Sequence, residues 1–527
     1  MKNKYIALMM ASAMALMPVN ASAEITSLMV KDISVTELSE DTDTSQTETA
    51  TITAPEQGEK HSTVLNALGK SLVYRFSPKL FGRSSVYDHG LSKASFIMSL
   101  AAMDVGGNDD LDLQGFFRIT GFDMDTYSSH RYDCEDTNDD AAVGICSMKL
   151  PDGRTLVAAA VRGGGYGGEW SSNMRVGNTE YHEGFMLSST SVKTQIEEYI
   201  KEQGIDNAAI WLTGYSRGAA VAGLTGARLA NEYGQENIYC YTFATPRTYR
   251  GSTSYKCIHN IINPADPVTY VPFDEWGYSR IGVDHYLDVS AFTDERAANV
   301  KKLYKAVTGE DPYHNAQLMS LPVLLSTVVT DYIPDTQNYT EGGYQDMLAE
   351  LMQNADDMIA NKSLSEEDMG EAGYMLAARM PVMSSLSFVA LVGVLGEFDS
   401  DIMLHCAENH EPQLYLALLY AGGVVSEPPH TYTVRTTGDV SMFLTIDGGE
   451  VGYITPDEVI QPEVPAFTTV LTDNICIAPA NAKIELEGTG DISYTVEERA
   501  AGYLVRSETF SVTLDGSRYT VKLGKEV

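Results

Sequence analysis

The run Ile210–Ala220 constrains this chain more than any other stretch. An apolar segment leads into Gly214, Tyr215, Ser216, Arg217 and Gly218, and small residues follow at once. Gly-x-Ser-x-Gly between a strand and a helix is a nucleophile elbow, a turn so tight that the serine hydroxyl stands clear of the sheet. Glycine flanks the serine because a Cβ on either side would collide with neighbouring backbone. The surroundings fit that reading. Asn207–Thr213 predicts a buried strand, and Val221, Leu224 and Leu229 recur near helical spacing until Gly234 stops the helix. The plainer alternative is a serine in an ordinary strand-to-helix turn.

The chain has 527 residues, enough for two or three domains. Residues 1–23 read as an export signal. Lys2 and Lys4 precede an apolar stretch, and Ala21, Ser22 and Ala23 form a small-x-small cleavage pattern. No later run is long and apolar enough to span a bilayer; Phe388–Leu395 is apolar but short. The expectation is a secreted, extracellular protein cut after Ala23. The formal net charge of -36 repels phosphate backbones, which argues against a nucleic-acid partner. The six cysteines are Cys134, Cys146, Cys240, Cys257, Cys406 and Cys476. An even number in an exported chain permits disulfides, and Cys134 with Cys146 is the easiest pair, closing a short polar loop. Cys406 with Cys476 would tie two distant regions together. No spacing suggests zinc, and no metal or organic cofactor is implied.

Residues 24–62 are rich in Thr and acid with little to bury, so they predict a disordered linker. From 63 the chain becomes globular. Leu91–Met103 predicts a helix, and Val143–Leu150 and Thr155–Val161 predict a hairpin turning at Asp152-Gly153. A glycine-rich loop, 162–170, follows; it lacks the Lys-Ser/Thr of a phosphate cradle and suits close backbone approach to a reacting group. Strands at Ile238–Thr245 and Cys257–Asn263 then alternate with helices, which implies a mostly parallel sheet covered on both faces. The Met- and Leu-rich stretch 290–405 predicts a helical lid above the carboxyl ends of the strands, either lining an acyl pocket or packing as ordinary helices. From 430 to 527 the period changes to two. Strands are predicted at Tyr432–Thr436, Val440–Ile446, Phe467–Leu471, Lys483–Leu486, Ser493–Val496, Phe510–Leu514 and Tyr519–Leu523, a small all-β sandwich-like domain.

A serine needs a base to take its proton, and the base needs an orienting acid. In α/β-hydrolases these follow in the order Ser, Asp or Glu, His. The acid belongs after the strand Cys257–Asn263, where Asp266 sits in a proline-flanked turn. Of the ten histidines, four precede Ser216 and His259 precedes the acid. His410 lies just before Pro412, a residue suited to the first turn of a helix, and is the preferred base. His314 is the alternative base and His285 the third choice. The oxyanion of a tetrahedral intermediate needs backbone N–H donors already in place. One is expected from Arg217 and the other from Gly163 or Gly164.

Five runs in order, Val161–Gly163, Tyr181–Phe185, Gly214–Gly218, Thr242–Arg247 and Asn263–Pro272, together resemble the class-three (fungal-type) lipase family, and more narrowly its secreted Gram-positive members. The likeness covers roughly 140–285 and resumes at His410. It implies Ser216 as nucleophile, Asp266 as acid, His410 as base and Gly164 as an oxyanion-hole position. Three features depart from the family. Gly stands at 164 where many members carry Ser or Thr, Tyr-Ser-Arg replaces His-Ser-Leu at the elbow, and 290–405 has no counterpart in the compact fungal enzymes. The expected architecture for 63–427 is an α/β-hydrolase with a helical insertion.

The function expected is hydrolysis of carboxylic esters, of lipids or acylglycerols, by a Ser-Asp-His triad and an acyl-enzyme. The substrate would be the main partner, met at a lipid interface through transient contact with the lid, and no obligate protein partner is evident. An acyltransferase or peptidase using the same serine, or a non-catalytic cell-envelope module, are the alternatives.

Overall fold

The computed structural model describes residues 58–65, 69–105, 110–130, 141–163, 176–177, 179–313, 322–323, 407–437, 440–446, 449–455, 459–460, 467–469 and 475–523. The signal-like segment, Cys134, Gly164, His314, Cys406 and nearly all of the expected lid lie outside them.

A hairpin of β1 (Glu59–Leu65) and β2 (Lys70–Phe76) comes first. The hairpin begins inside the expected linker, because Glu59–Leu65 pair residue by residue with Phe76 back to Lys70. Helix α1 (His89–Ala101) follows, capped by the Asp88 carboxylate on the Leu91 N–H at 2.9 Å. It starts two residues before the expected helix, and its end tightens into a 3-10 turn at Ala102–Asp104. Helix α2 (Leu111–Ile119) leads into β3 (Asp123–His130), β4 (Val143–Lys149) and β5 (Thr155–Val161), three antiparallel neighbours.

Helix α3 (Glu183–Glu202), β6 (Ala208–Tyr215), α4 (Arg217–Tyr233), β7 (Ile238–Phe243), β8 (Ile258–Ile262) and β9 (Val283–Leu287) then alternate. Strands β5 to β9 pair in parallel. After α5 (Ala297–Thr308), α6 (Pro412–Ala417) closes the region, and β10 (Val424–Val425) adds an antiparallel edge beside β9. The eight strands stand in the order β10-β9-β8-β7-β6-β5-β4-β3. A mostly parallel sheet with helices on both faces is the α/β-hydrolase arrangement.

Every residue of β5, β6, β7 and β8 is buried, which is why these strands read as apolar runs without alternation. Side chains still alternate between faces. Ala209, Trp211 and Tyr215 of β6 join the core that includes Phe96 and Phe116, while Ile210 and Leu212 join Val192, Ile196, Val221 and Leu224. Trp211 Nε1 donates to Ser95 Oγ at 2.9 Å, so its one polar atom is paired inside the core.

The remaining strands form two five-stranded antiparallel sheets. They are β11 (His430–Thr436), β12 (Ser441–Ile446), β13 (Gly449–Ile454), β14 (Val459–Ile460), β15 (Phe467–Thr469), β16 (Ile475–Pro479), β17 (Ala482–Glu487), β18 (Thr489–Ala500), β19 (Tyr503–Asp515) and β20 (Tyr519–Thr520). One sheet has the order β15-β16-β11-β18-β19 and the other β14-β13-β12-β17-β20. Val434, Cys476 and Val496 of the first meet Met442, Leu444, Ile484 and Leu486 of the second in one core, a sandwich. Two predicted strands at Ser493–Val496 and Phe510–Leu514 are pieces of a much longer hairpin, β18 with β19. Its turn residues Ala501 and Gly502 both have positive φ, 46° and 84°.

Cys146, Cys240, Cys257 and Cys476 are free, buried thiols. The disulfides expected at Cys146 and Cys476 are absent. Burial pushes the Cys146 thiol up to about 11 and that of Cys476 up to about 12, as befits inert core residues. Cys240 is on β7 and Cys257 immediately precedes the neighbouring β8, with the Cys240 N–H on the Cys257 carbonyl at 3.0 Å.

His285, the third candidate base, is on β9 beside His259. His259 Nε2 donates to the Ser84 carbonyl at 2.9 Å, which leaves its Nδ1 to accept from His285 Nε2 at 3.0 Å. Both rings are therefore neutral. Burial lowers His259 to about 4, and burial with the neighbouring His259 lowers His285 to about 3. Unfolding frees both toward the ordinary value of about 6.5, so protons favour the unfolded chain below that pH. The pair's stabilisation is present above pH 6.5 and is lost as pH falls toward 4. His285→Gln keeps a polar group and removes one titration, so the fall in stability between pH 6 and 4 should become shallower by roughly 1 kcal/mol per pH unit. Chemical unfolding across that range measures it; an unchanged slope would exclude the pair as an acid-sensitive element.

Candidate active site

The elbow is a backbone structure before it is a chemical one. Ser216 has φ 54° and ψ -123°, a conformation that costs a non-glycine residue about 1–3 kcal/mol. A Cβ on Gly214 would lie 2.2 Å from the Gly218 carbonyl oxygen, and one on Gly218 would lie 2.6 Å from that of Val161. Both neighbours are backbone and have nowhere to go, so glycine is required at each position. The Ser216 N–H donates to the Phe243 carbonyl at 2.9 Å, and the Ser216 carbonyl accepts from Ala219 at 2.9 Å and Ala220 at 3.1 Å. The turn thus joins β6 to β7 on one side and starts α4 on the other.

Asp266 lies just past the end of β8. Asn263 Oδ1 accepts from the Ala265 N–H at 3.1 Å, and Asp266 Oδ1 accepts from Val268 at 2.9 Å, which folds the proline-flanked turn into a short 3-10 helix, Pro267–Tyr270. His410 ends a 3-10 turn, Ala407–His410, immediately before α6, whose first residue is Pro412.

These three side chains meet although 194 positions separate the serine from the histidine. His410 Nε2 is 2.9 Å from Ser216 Oγ, and His410 Nδ1 is 2.8 Å from Asp266 Oδ2. The carboxylate accepts only, so Nδ1 carries the proton and Nε2 faces the hydroxyl as an acceptor. Asp266 is fully buried, and Ser216 remains 8% exposed. Burial is therefore complete at the carboxylate and slightly less than complete at the serine.

Two tyrosines complete the site, and local sequence gave no sign of either. Tyr415 donates to Asp266 Oδ2 at 2.7 Å and accepts from the Asn263 N–H at 3.0 Å. Burial and the Asp266 charge hold its phenol well above the usual range, so it remains a donor. Tyr215, beside the serine, donates to the His410 carbonyl at 2.7 Å. Asn263 Nδ2 donates to the Asn409 carbonyl at 2.9 Å, tying the acid's turn to the base's turn. Tyr415 follows His410 by five residues in an apolar helix, where it reads as core.

Arg217 opens α4, and its side chain is buried: Nη2 donates to Ser188 Oγ at 2.7 Å and the guanidinium lies 5.7 Å from the Phe185 ring. Gly163 sits against the elbow, where a Cβ would lie 3.1 Å from the Tyr215 carbonyl oxygen. Gly164 and His314 fall outside the described residues. His285 is occupied by His259. Among the described residues no cluster of three or more His, Cys, Asp or Glu has metal-binding geometry.

Residues 165–276 match the family model described as lipase (class 3). That segment holds the elbow and Asp266 and ends before His410. Similar solved structures include a fungal lipase in an inhibitor complex, at 15% identity over 40% of this chain and 78% of that one, TM-score 0.28. A triacylglycerol lipase described as having a serine protease triad as its catalytic centre is 15% identical over 40% of this chain and 83% of its own, TM-score 0.30. For the Rhizomucor miehei triacylglyceride lipase the values are 15%, 37%, 80% and 0.28. Identities and scores this low carry no functional conclusion.

Removing the Tyr415 hydroxyl leaves the buried Asn263 N–H without a partner. Tyr415→Phe should therefore lower stability by about 1–3 kcal/mol. Urea unfolding followed by tryptophan fluorescence reads the change, and a wild-type midpoint would refute the pairing.

Proposed function

We propose that this chain is a serine hydrolase of carboxylic esters, with lipid or acylglycerol esters as substrates. The observation that carries the reading is the continuous relay from Asp266 Oδ2 through His410 to Ser216 Oγ, at 2.8 and 2.9 Å. The class 3 lipase match over 165–276 supports the ester class.

In this reading Ser216 Oγ attacks the ester carbonyl carbon while its proton moves to His410 Nε2. The imidazolium that forms is stabilised by the buried Asp266 side chain, which also accepts hydrogen bonds from the Val268 N–H and the Tyr415 hydroxyl. The carbonyl oxygen becomes an oxyanion, met by the Arg217 N–H and by a donor expected at Gly164. The tetrahedral intermediate collapses, His410 returns the proton to the leaving alkoxide, and an alcohol departs. Water then attacks the acyl-enzyme with His410 again as base, releasing the acid and restoring the hydroxyl.

Export, the likeness to secreted Gram-positive members, and lipid contact through 290–405 belong to the same proposal. They rest on the signal-like pattern of residues 1–23, on the motif set and on the Met-rich composition of that segment.

Ser216→Ala should reduce turnover of p-nitrophenyl esters by about a thousandfold or more with the fold intact. Fluorophosphonate should label the wild type and not the variant. Wild-type turnover in the variant would end the proposal. Transfer to added alcohols or amines in preference to water would redirect it to an acyltransferase.

A further inference from the structure

The C-terminal sandwich does not stand apart from the relay. The turn of its longest hairpin reaches the loop that carries Asp266. The Leu504 N–H donates to Asp274 Oδ2 at 2.9 Å, and Arg499 Nη1 pairs with Glu275 at 2.7 Å. Gly502 lies flat on Tyr270, so closely that a Cβ there would sit 2.2 Å from the ring. Ala501 joins Ile262 of β8 and Tyr286 of β9 in a small buried cluster.

Tyr503 is the centre of this contact. Its ring lies 4.4 Å from the Arg247 guanidinium and 5.3 Å from that of Arg280, and its hydroxyl accepts from the Arg280 N–H at 3.3 Å. Those two arginines hold the 3-10 helix that begins at Asp266. Arg280 Nη1 donates to the Thr269 carbonyl, and Arg247 Nη1 donates to the Tyr270 carbonyl at 3.1 Å. The same helix is bonded back to Asp266, whose backbone carbonyl accepts from the Thr269 hydroxyl at 2.8 Å.

Arg280 is also held by Asp284 at 2.8 Å, but among the described residues Arg247 has no such anchor. It is fully buried, and its Nε and Nη2 have no hydrogen-bond partner among the described residues. One hydrogen bond does not by itself fix the plane of a guanidinium. The orientation of its plane is set by stacking on Tyr503, and more distantly on Tyr270 at 5.7 Å. A ring from the second module thus decides where the Tyr270 carbonyl is gripped.

We infer that the β18–β19 turn is a positioning element for Asp266: Tyr503 orients Arg247 and Arg280, which clamp the acid's 3-10 helix and keep the carboxylate under His410. The inference rests on the proposed triad. Tyr503 touches neither substrate nor reacting atoms. Its effect passes through the relay, where a displacement of about 1 Å can cost two orders of magnitude in rate.

The test uses the full chain and p-nitrophenyl ester turnover, with near-UV circular dichroism reporting the fold. Tyr503→Leu, which keeps apolar bulk and loses the π face, should lower kcat about tenfold or more and leave KM within about twofold. Tyr503→Phe keeps the face and should stay within about threefold of wild type. Gly502→Ala, which pushes the turn off Tyr270, should repeat the Tyr503→Leu loss, and Thr509→Ala on the same hairpin should have no effect. Wild-type kcat in Tyr503→Leu overturns the inference, as does a rise in KM alone. Loss of native dichroism in both Tyr503→Leu and Gly502→Ala overturns it too, because the turn is then a folding element. Asp266→Ala, assayed alongside, separates the levels. If it is inactive while Tyr503→Leu is normal, only the positioning role falls; if it is fully active, the triad reading falls first.

Discussion

Backbone packed against backbone at Gly214 and Gly218 is the constraint on which the rest of the structure depends. Ser216 is held at a positive φ that its side chain disfavours, and nothing local compensates. The compensation comes from neighbours. The Phe243 carbonyl takes the serine's N–H, α4 takes its carbonyl, and the carbonyls of Val161 and Arg162 close over Gly218. Those contacts exist only if β5, β6 and β7 run in parallel with Val161 and Thr242 beside Gly214. The strand register is thus fixed at the turn that carries Ser216.

Features written in consecutive residues were legible in the sequence. The elbow, the hairpin at Asp152-Gly153, the turn around Asp266 and the proline that opens α6 all depend on local backbone preferences, and the order of the three candidate side chains then follows the fold. Features that depend on distant partners were not legible. Tyr415 reads as one more apolar helix residue, and its hydroxyl acquires meaning only when Asp266, 149 positions away, is brought beside it. Tyr503 falls between two predicted strands, while its hydroxyl's partner is 223 positions away. The long β18–β19 hairpin was broken into two short strands because its exposed residues dilute the alternation, and because Ala501 is an unusual occupant of a positive φ. Cysteine arithmetic erred for a different reason. An even count permits bridges but says nothing of geometry, and the free thiols lie in cores that need no staple.

Burying a carboxylate completely is costly unless its charge is answered. At Asp266 the answer comes from opposite sides. His410, Tyr415 and the Val268 N–H satisfy its oxygens directly, while Asn263 ties its turn to that of the base. On the far side, Arg247 and Arg280 hold the carbonyls of the helix it caps and bring positive charge into the same buried region. Direct donors fix the carboxylate's orientation, and the two arginines fix the peptide frame beneath it.

That division of labour explains why the parts come from such separated stretches. Side chains near Asp266 in sequence are already committed to turning the chain: Asn263 and the Asp266 carboxylate each cap a nearby N–H, and Pro264 and Pro267 have no N–H to give. Further donors must arrive from elsewhere, and each arrives on an element with its own rigid support. Tyr415 rides on α6, whose Leu414 and Leu416 are buried in the main core. Tyr503 rides on a hairpin anchored in a sandwich whose core is separate from the main one. Contacts of such long sequence separation close long loops, at an entropic cost that grows only slowly with length. On the positioning role inferred for Tyr503, the module most remote in sequence from the elbow becomes part of the frame that holds Asp266.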